Sequence, residues 1–266
     1  MTRIGGGATY SRRTFMEART SMDPSTGSTR LTTSRYRRDA VMTRGPLPRE
    51  GKPDSFPPGS YEMKELAIHS IFPTTIQFLD IDREFSAAET AFLLETQRCM
   101  QLSEGNFRSN DRRILDRDAM SILRGEILSA AQTYLHKVVR ARPEVQPCIT
   151  QSWLNITKFG QHHHRHAHPN SFISGVLYIN ANEATDRIYF FKDGYEQIQP
   201  VPTEWNRHNA TSWYFAVKTG QIVLFPSRLS HMVETKDNDE TRISLAFNIF
   251  LKGPIGDESA LTALTL

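Results

Sequence analysis

The chain is poor in the residues that would place it in several common classes. Two cysteines occur in 266 residues, Cys99 and Cys148, without the paired spacing of a zinc site or the density of a secreted disulfide scaffold. Their scarcity points to a reducing, cytoplasmic location. No apolar run approaches the roughly 18 residues that a membrane span requires, so the sequence reads as that of a soluble protein. Lysine is missing from residues 1–50, which carry ten arginines against Glu17, Asp23, Asp39 and Glu50. That head is rich in Ser, Thr and Gly and runs into the Pro/Gly stretch GPLPREGKPDSFPPGS. Without hydrophobic periodicity it cannot form a core, and residues 1–62 read as a disordered basic tail and linker. An organelle transit peptide and a nucleic-acid arm are two readings of it. The favoured one is an upstream extension of a reading frame whose working start is Met63.

What is present begins with a strand-like segment, IHSIFPTTIQF, followed by SAAETAFLLETQRCMQ, whose apolar residues recur at helical spacing after a serine cap. A second helix is expected at about 118–141. There Met120, Leu123, Ile127, Ala130, Ala131 and Leu135 share one face, which should pack on a sheet. After residue 148 the pattern changes to short segments rich in β-branched and aromatic residues: ITQSWLNITKF, SFISGVLYIN, RIYFF, SWYFAV, QIVLFP and RISLAFNIFL. In the first of these Leu154, Ile156 and Lys158 alternate with Trp153, Asn155, Thr157 and Phe159. Two helices followed by six or more strands predict a mainly β, α+β fold, an antiparallel sandwich or jelly roll with helices on one side.

Five of the nine histidines fall in HHHRHAHP, 162–169. Imidazole is a common ligand for iron and zinc, and in extended structure an HxH pair puts both rings on one side. His162/His164, His164/His166 and His166/His168 all qualify, so spacing alone does not choose among them. A solvated, histidine-rich loop with adventitious metal affinity is the alternative. Further on, GQIVLFPSRLSHMVETKDNDETRISLAFNIF adds His231 and, eleven positions later, Arg242, with Ser244 on the same strand face. A guanidinium grips a carboxylate through two parallel hydrogen bonds, and a neighbouring hydroxyl adds a donor.

Trp153 and Asn155, Gly160, His166 to Pro169, Ser174 to Val176 with Tyr178, then Gly220, Phe225 to Ser227, His231, Arg242, Ser244, Phe247 and Asn248 follow one another in an order that resembles the 2-oxoglutarate and iron(II) dependent oxygenase family of HxHP…H…RxS type. The resemblance covers roughly 63–252. It implies a double-stranded β-helix, a jelly roll of cupin-like form, with a helical part at 63–147, the jelly roll at 148–252 and a C-terminal tail at 253–266. It implies Fe(II) and the co-substrate 2-oxoglutarate, and dioxygen and an unidentified prime substrate as reaction partners. The reaction would be a hydroxylation that releases succinate and CO2. It also selects His166, His168 and His231 as metal ligands, leaving His162, His163 and His164 as bystanders. Arg242 and Ser244 would bind the distal carboxylate, with Asn155 and Tyr178 as further co-substrate contacts.

The familiar HxD or HxE carboxylate is missing, since His168 stands in its place. Either three histidines hold the metal, or His168 serves substrate or co-substrate and His166 and His231 alone hold iron, with Asp186 as a remote carboxylate candidate. A non-catalytic jelly-roll binding protein and a cupin-like metalloenzyme that needs no 2-oxoglutarate are the competing functions. Residues 192–211 are a candidate substrate lid. Nothing in the folded part indicates nucleic acid, and a homodimer stays open.

Overall fold

The computed structural model describes residues 67–194, 198 and 200–266; the readings of the tail and of Met63 lie outside them. In chain order the elements are β1 (Gln77–Asp80), α1 (Ala87–Arg98), β2 (Met100–Leu102), β3 (Phe107–Ser109), α2 (Ser121–Tyr134), β4 (Gln146–Thr157), β5 (His163–His166), β6 (Ile173–Asn180), β7 (Arg187–Phe191), β8 (Ser212–Ala216), β9 (Gln221–Pro226), β10 (His231–Val233), β11 (Arg242–Lys252), β12 (Pro254–Ile255) and β13 (Leu264–Thr265). Among the described residues no helix is long and apolar enough to cross a membrane.

The strands form a large sheet of order β1-β9-β6-β11-β4-β3-β2 and a smaller one of order β5-β10-β7-β8. Their named pairings are antiparallel throughout. This is the jelly roll that both the strand pattern and the resemblance predicted. All six predicted strand segments are present. The helical part is not purely helical, however, because β1, β2 and β3 from before residue 148 extend the large sheet at its two edges. The first predicted strand shrinks to Gln77–Asp80, with Ile68, Ile71 and Phe72 left exposed at 77%, 73% and 92%. Pro73 interrupts that segment and has no N–H to give to a ladder.

Helix α1 starts at Ser86, whose Oγ accepts from the Glu89 N–H while Glu89 Oε2 accepts from the Ser86 N–H, a reciprocal cap. Arg83 then bridges the helices: its guanidinium donates to both oxygens of the fully buried Glu89 at 2.8 Å each and to both oxygens of Glu126 on α2 at 2.7 and 2.8 Å. On α2 the predicted face is the buried one. Leu123, Ile127, Ala131 and Leu135 pack with Leu154, Leu177, Leu224, Leu245 and Phe247 of the large sheet.

Alternation then fixes what looks inward. On β4, Leu154 and Ile156 turn away from the site and Trp153, Asn155 and Thr157 toward it; on β11, Arg242 and Ser244 take the inner face. Between the sheets Tyr178, Ile188, Phe190, Val223, Phe225 and Leu229 form a second apolar cluster, which floors the site.

Candidate metal centre and carboxylate pocket

One cavity between the sheets is lined by all seven side chains that the sequence singles out: His166, His168, His231, Arg242, Ser244, Asn155 and Tyr178. One ligand atom from each of His166, His168 and His231 lies within 4.8 Å of the others, the only such group of three among the described residues. Metal–nitrogen bonds of about 2.0–2.1 Å would bring the three donors to roughly 3.0–3.6 Å of one another, so the rings would have to close in.

His231 and His166 face each other as Cα partners across β10 and β5, and their ring centroids are 4.4 Å apart. Each has its Nδ1 against a backbone carbonyl two residues earlier, Leu229 O at 3.0 Å and His164 O at 2.8 Å. A carbonyl can only accept, so Nδ1 carries the proton and the Nε2 lone pair is free, the tautomer a metal ligand needs. His168 is held less firmly, its Nδ1 3.5 Å from the Asn248 amide. Behind Asn248 a polar chain runs through Ser174 to Ser227 and Ser171.

Burial pushes His231 down to about 3 and His168 down to about 4, with the neighbouring imidazoles opposing a second charge, so these rings are neutral at pH 7. Burial lowers His166 as well. The apolar surroundings include the Phe225 ring, 4.7 Å from His231, and Trp153, 5.8 Å from His168.

The run itself departs from simple alternation. Val233 pairs with His163 but His231 with His166, so three steps on β5 match two on β10. This bulge puts His163 as well as His166 in the cavity wall, with the rings stacked at 4.5 Å. His163 is therefore a wall residue of the cavity, outside the ligand group. His164 points to Glu104 at 3.2 Å, and the His162 ring rests on Gly105, where an added Cβ would come within 2.9 Å of it.

At the opposite end Arg242 is 4% exposed, and its Nη2 donates to Thr157 Oγ1 at 3.0 Å. Burial draws its pKa below the ordinary value, the mark of a cation whose charge is incompletely matched. Tyr178 is raised by burial and stays a neutral phenol. Asp186, the remote carboxylate candidate, is absent from the histidine group; it accepts from Lys236 Nζ at 2.9 Å and lies 3.7 Å from Arg242 Nη1.

Asn106 also lines the cavity, with Nδ2 buried and unpartnered, as is Asn155 Oδ1. Buried polar atoms are rarely left unpaired, and these two border the same cavity. Asn106 and Lys236 escape sequence reading, whereas Thr157 shares the face of Asn155 and was within reach of alternation.

Residues 151–248 match the model of a family described as putative 2OG-Fe(II) oxygenase. The three histidines and both carboxylate-binding candidates lie inside the matched segment; Asn106 lies outside it. No curated protein matches the chain. Similar solved structures include a 2OG-Fe(II) oxygenase family oxidoreductase from Burkholderia pseudomallei (13% identity, 65% of this chain, 84% of the other, TM-score 0.46). HygX from Streptomyces hygroscopicus, with nickel, 2-oxoglutarate and hygromycin B bound, is similar at 11% identity, 66% and 82% coverage and TM-score 0.46. The non-heme alpha ketoglutarate dependent epimerase SnoN from nogalamycin biosynthesis gives 10%, 66%, 78% and 0.47.

Proposed function

We propose that the protein is an Fe(II)- and 2-oxoglutarate-dependent oxygenase that hydroxylates an organic substrate with release of succinate and CO2. One observation carries this reading: a group of three imidazoles able to hold a metal and a buried arginine share one cavity. Either element alone would suit a metal store or an anion site, whereas a 2-oxo acid with a distal carboxylate uses both. His166, His168 and His231 would hold the iron, a three-histidine variant of the usual two-His, one-carboxylate face. Bound there, iron would supply the activation of dioxygen that side chains cannot.

The chain's own residues do the rest. Arg242 and Ser244 would receive the distal carboxylate, with Asn155 and Tyr178 alongside it. The carbonyls of Leu229 and His164 hold the imidazole tautomers. The rings of Phe225 and Trp153, which line the cavity, would exclude water around the reacting atoms.

The test is anaerobic loading of the full chain with Fe(II), then measurement of succinate from 2-oxoglutarate after admission of oxygen. Iron-dependent succinate release is expected, and Arg242→Ala should raise the 2-oxoglutarate requirement by about tenfold or more while metal binding survives. A metal-binding protein that releases no succinate would instead be a non-catalytic binder or a cupin-like enzyme of other chemistry.

A further inference from the structure

The buried carboxylates among the described residues are those of Glu89 and Asp186, and Glu89 is occupied by Arg83. Asp186 therefore faces two buried cations alone. Its side chain is 4% exposed, that of Lys236 2% and that of Arg242 5%. Two positive charges against one negative leave one unit of charge unmatched inside the protein, a costly state without a partner. Lys236 does not line the histidine cavity. It lines a second, polar cavity of about 330 Å³, which Arg242 also borders, together with Asp186, Arg187, Glu234 and Asp237. Glu234 and Asp237 are exposed there, and solvent screens them.

The distances divide the Asp186 charge unequally. Lys236 Nζ sits 2.9 Å from Asp186 Oδ1, while Arg242 Nη1 is 3.7 Å from the same oxygen. The other carboxylate oxygen accepts from the Asn182 N–H at 2.9 Å, so the group is fixed from both sides. Coulomb attraction falls with separation and a hydrogen bond is lost beyond about 3.5 Å. Lys236 thus holds the carboxylate more closely than Arg242 does, and by a hydrogen bond that Arg242 lacks. Without it, Asp186 would be free to close on Arg242 and neutralise it.

We propose that Lys236 and Asp186 are a positioning pair for Arg242: Asp186 orients the guanidinium, and Lys236 quenches Asp186, so that the Arg242 charge stays available for one ligand carboxylate and the cavity selects 2-oxo acids with an anionic tail. This rests on the reading that Arg242 meets the distal carboxylate. Lys236 touches no ligand and acts through Arg242.

The experiment is calorimetric titration of Mn(II)-loaded full-length protein with 2-oxoglutarate and with 2-oxopentanoate, which has the same carbon chain but no distal carboxylate. The quantity read is the ratio of the two dissociation constants. Lys236→Met should lower that ratio by about tenfold, a loss corresponding to about 1.4 kcal/mol. Lys236→Arg should keep it, and the double variant K236M/D186N, which restores a lone Arg242 charge, should recover it to within a few-fold. A lysine that served stability alone would lower the melting temperature of K236M and leave the ratio of dissociation constants unchanged.

An unchanged ratio in K236M, or no recovery in the double variant, overturns the proposal. If K236M does not fold, the double variant decides alone, retained discrimination supporting the proposal and lost discrimination overturning it. Arg242→Ala separates the two levels. If it leaves the ratio intact, the carboxylate assignment of Arg242 fails; if it collapses the ratio while K236M does not, the positioning pair alone fails.

Discussion

At the histidine end of the cavity the functional groups are neutral and carried by the small sheet, on short strands and a turn; at the arginine end they are charged and almost wholly buried, with Arg242 on the long central strand β11 of the large sheet and Asp186 and Lys236 reaching it from beside the short strands β7 and β10. His166 and His168 keep some solvent contact, whereas Arg242, Asp186 and Lys236 keep almost none. The difference suits the two roles proposed for these ends. An ion brings its own charge and exchanges its water for ligand lone pairs, which neutral imidazoles supply. A carboxylate needs a fixed opposite charge in a dry place, where attraction is strong and the cost of burial must be met by a network.

The sharpest way to break this comparison is at the metal. His231→Ala and His166→Ala should each lower Mn(II) or Fe(II) affinity by more than about a hundredfold, measured by calorimetry and by metal content after desalting. Arg242→Ala should leave that affinity within about threefold. Loss of metal binding in both classes of variant would mean that the two ends are one cooperative unit.

His168 should give a smaller and more discriminating effect. His168→Ala should weaken metal binding by about tenfold or more, and His168→Asp should restore it, because a carboxylate is a usual third ligand on that face. If metal content holds in both variants while succinate release falls, His168 serves the co-substrate or substrate instead.

At the other end Thr157→Val removes the oxygen that receives Arg242 Nη2. Affinity for 2-oxoglutarate should fall by about threefold to tenfold with metal binding unchanged, since a hydrogen bond to a charged group contributes about 1.5–3 kcal/mol and the ligand compensates part of it. The smallest effect belongs to His164→Ala, which lies on the outer side of the run beside Glu104 and should change metal affinity by less than about twofold.

Acid should affect the metal-free protein mainly through its histidines. His231 and His168 have folded pKa values of about 3 and about 4, below the 6.5 of the unfolded chain. Between pH 6.5 and these values the unfolded state binds protons that the folded state does not, so stability falls as pH falls through that window. His231→Leu should flatten the profile of melting temperature against pH from 7 to 4. An unaltered slope would show that other groups set it.

Much of this was legible in advance, for reasons that can be named. The amphipathic α2 and the alternating β4 and β11 bury one face each, and burial of one face writes a period into the sequence; Leu123, Ile127, Leu154 and Leu245 all lie where that period puts them. The seven candidate site residues lie on strands or beside them and meet in one cavity. That His163 lines the cavity was not legible, because a bulge breaks the two-residue period and leaves no mark in a run of identical side chains. Asn106 was invisible for another reason. It reaches the cavity only because β3 pairs with β4, and the residues of a three-residue strand carry too little pattern to announce a partner. Lys236 sits three residues after β10, in a connection without the alternation that marks a strand.

The bulged β5 and the three-residue β10 have a consequence for motion. Strand β10 is held between β5 and β7 by few ladder bonds, and its His231 lies opposite His166, with 65 positions of chain between them. An ion shared by these side chains and His168 ties the two strands and the following turn together, closing a long loop at a single point. Amide hydrogens of 163–168 and 231–233 should therefore exchange with solvent at a common, fast rate in the metal-free protein and slow together on loading, while those of β4 and β11 keep their rates. The small sheet would then act as a latch whose closed time is set by the residence time of its ion.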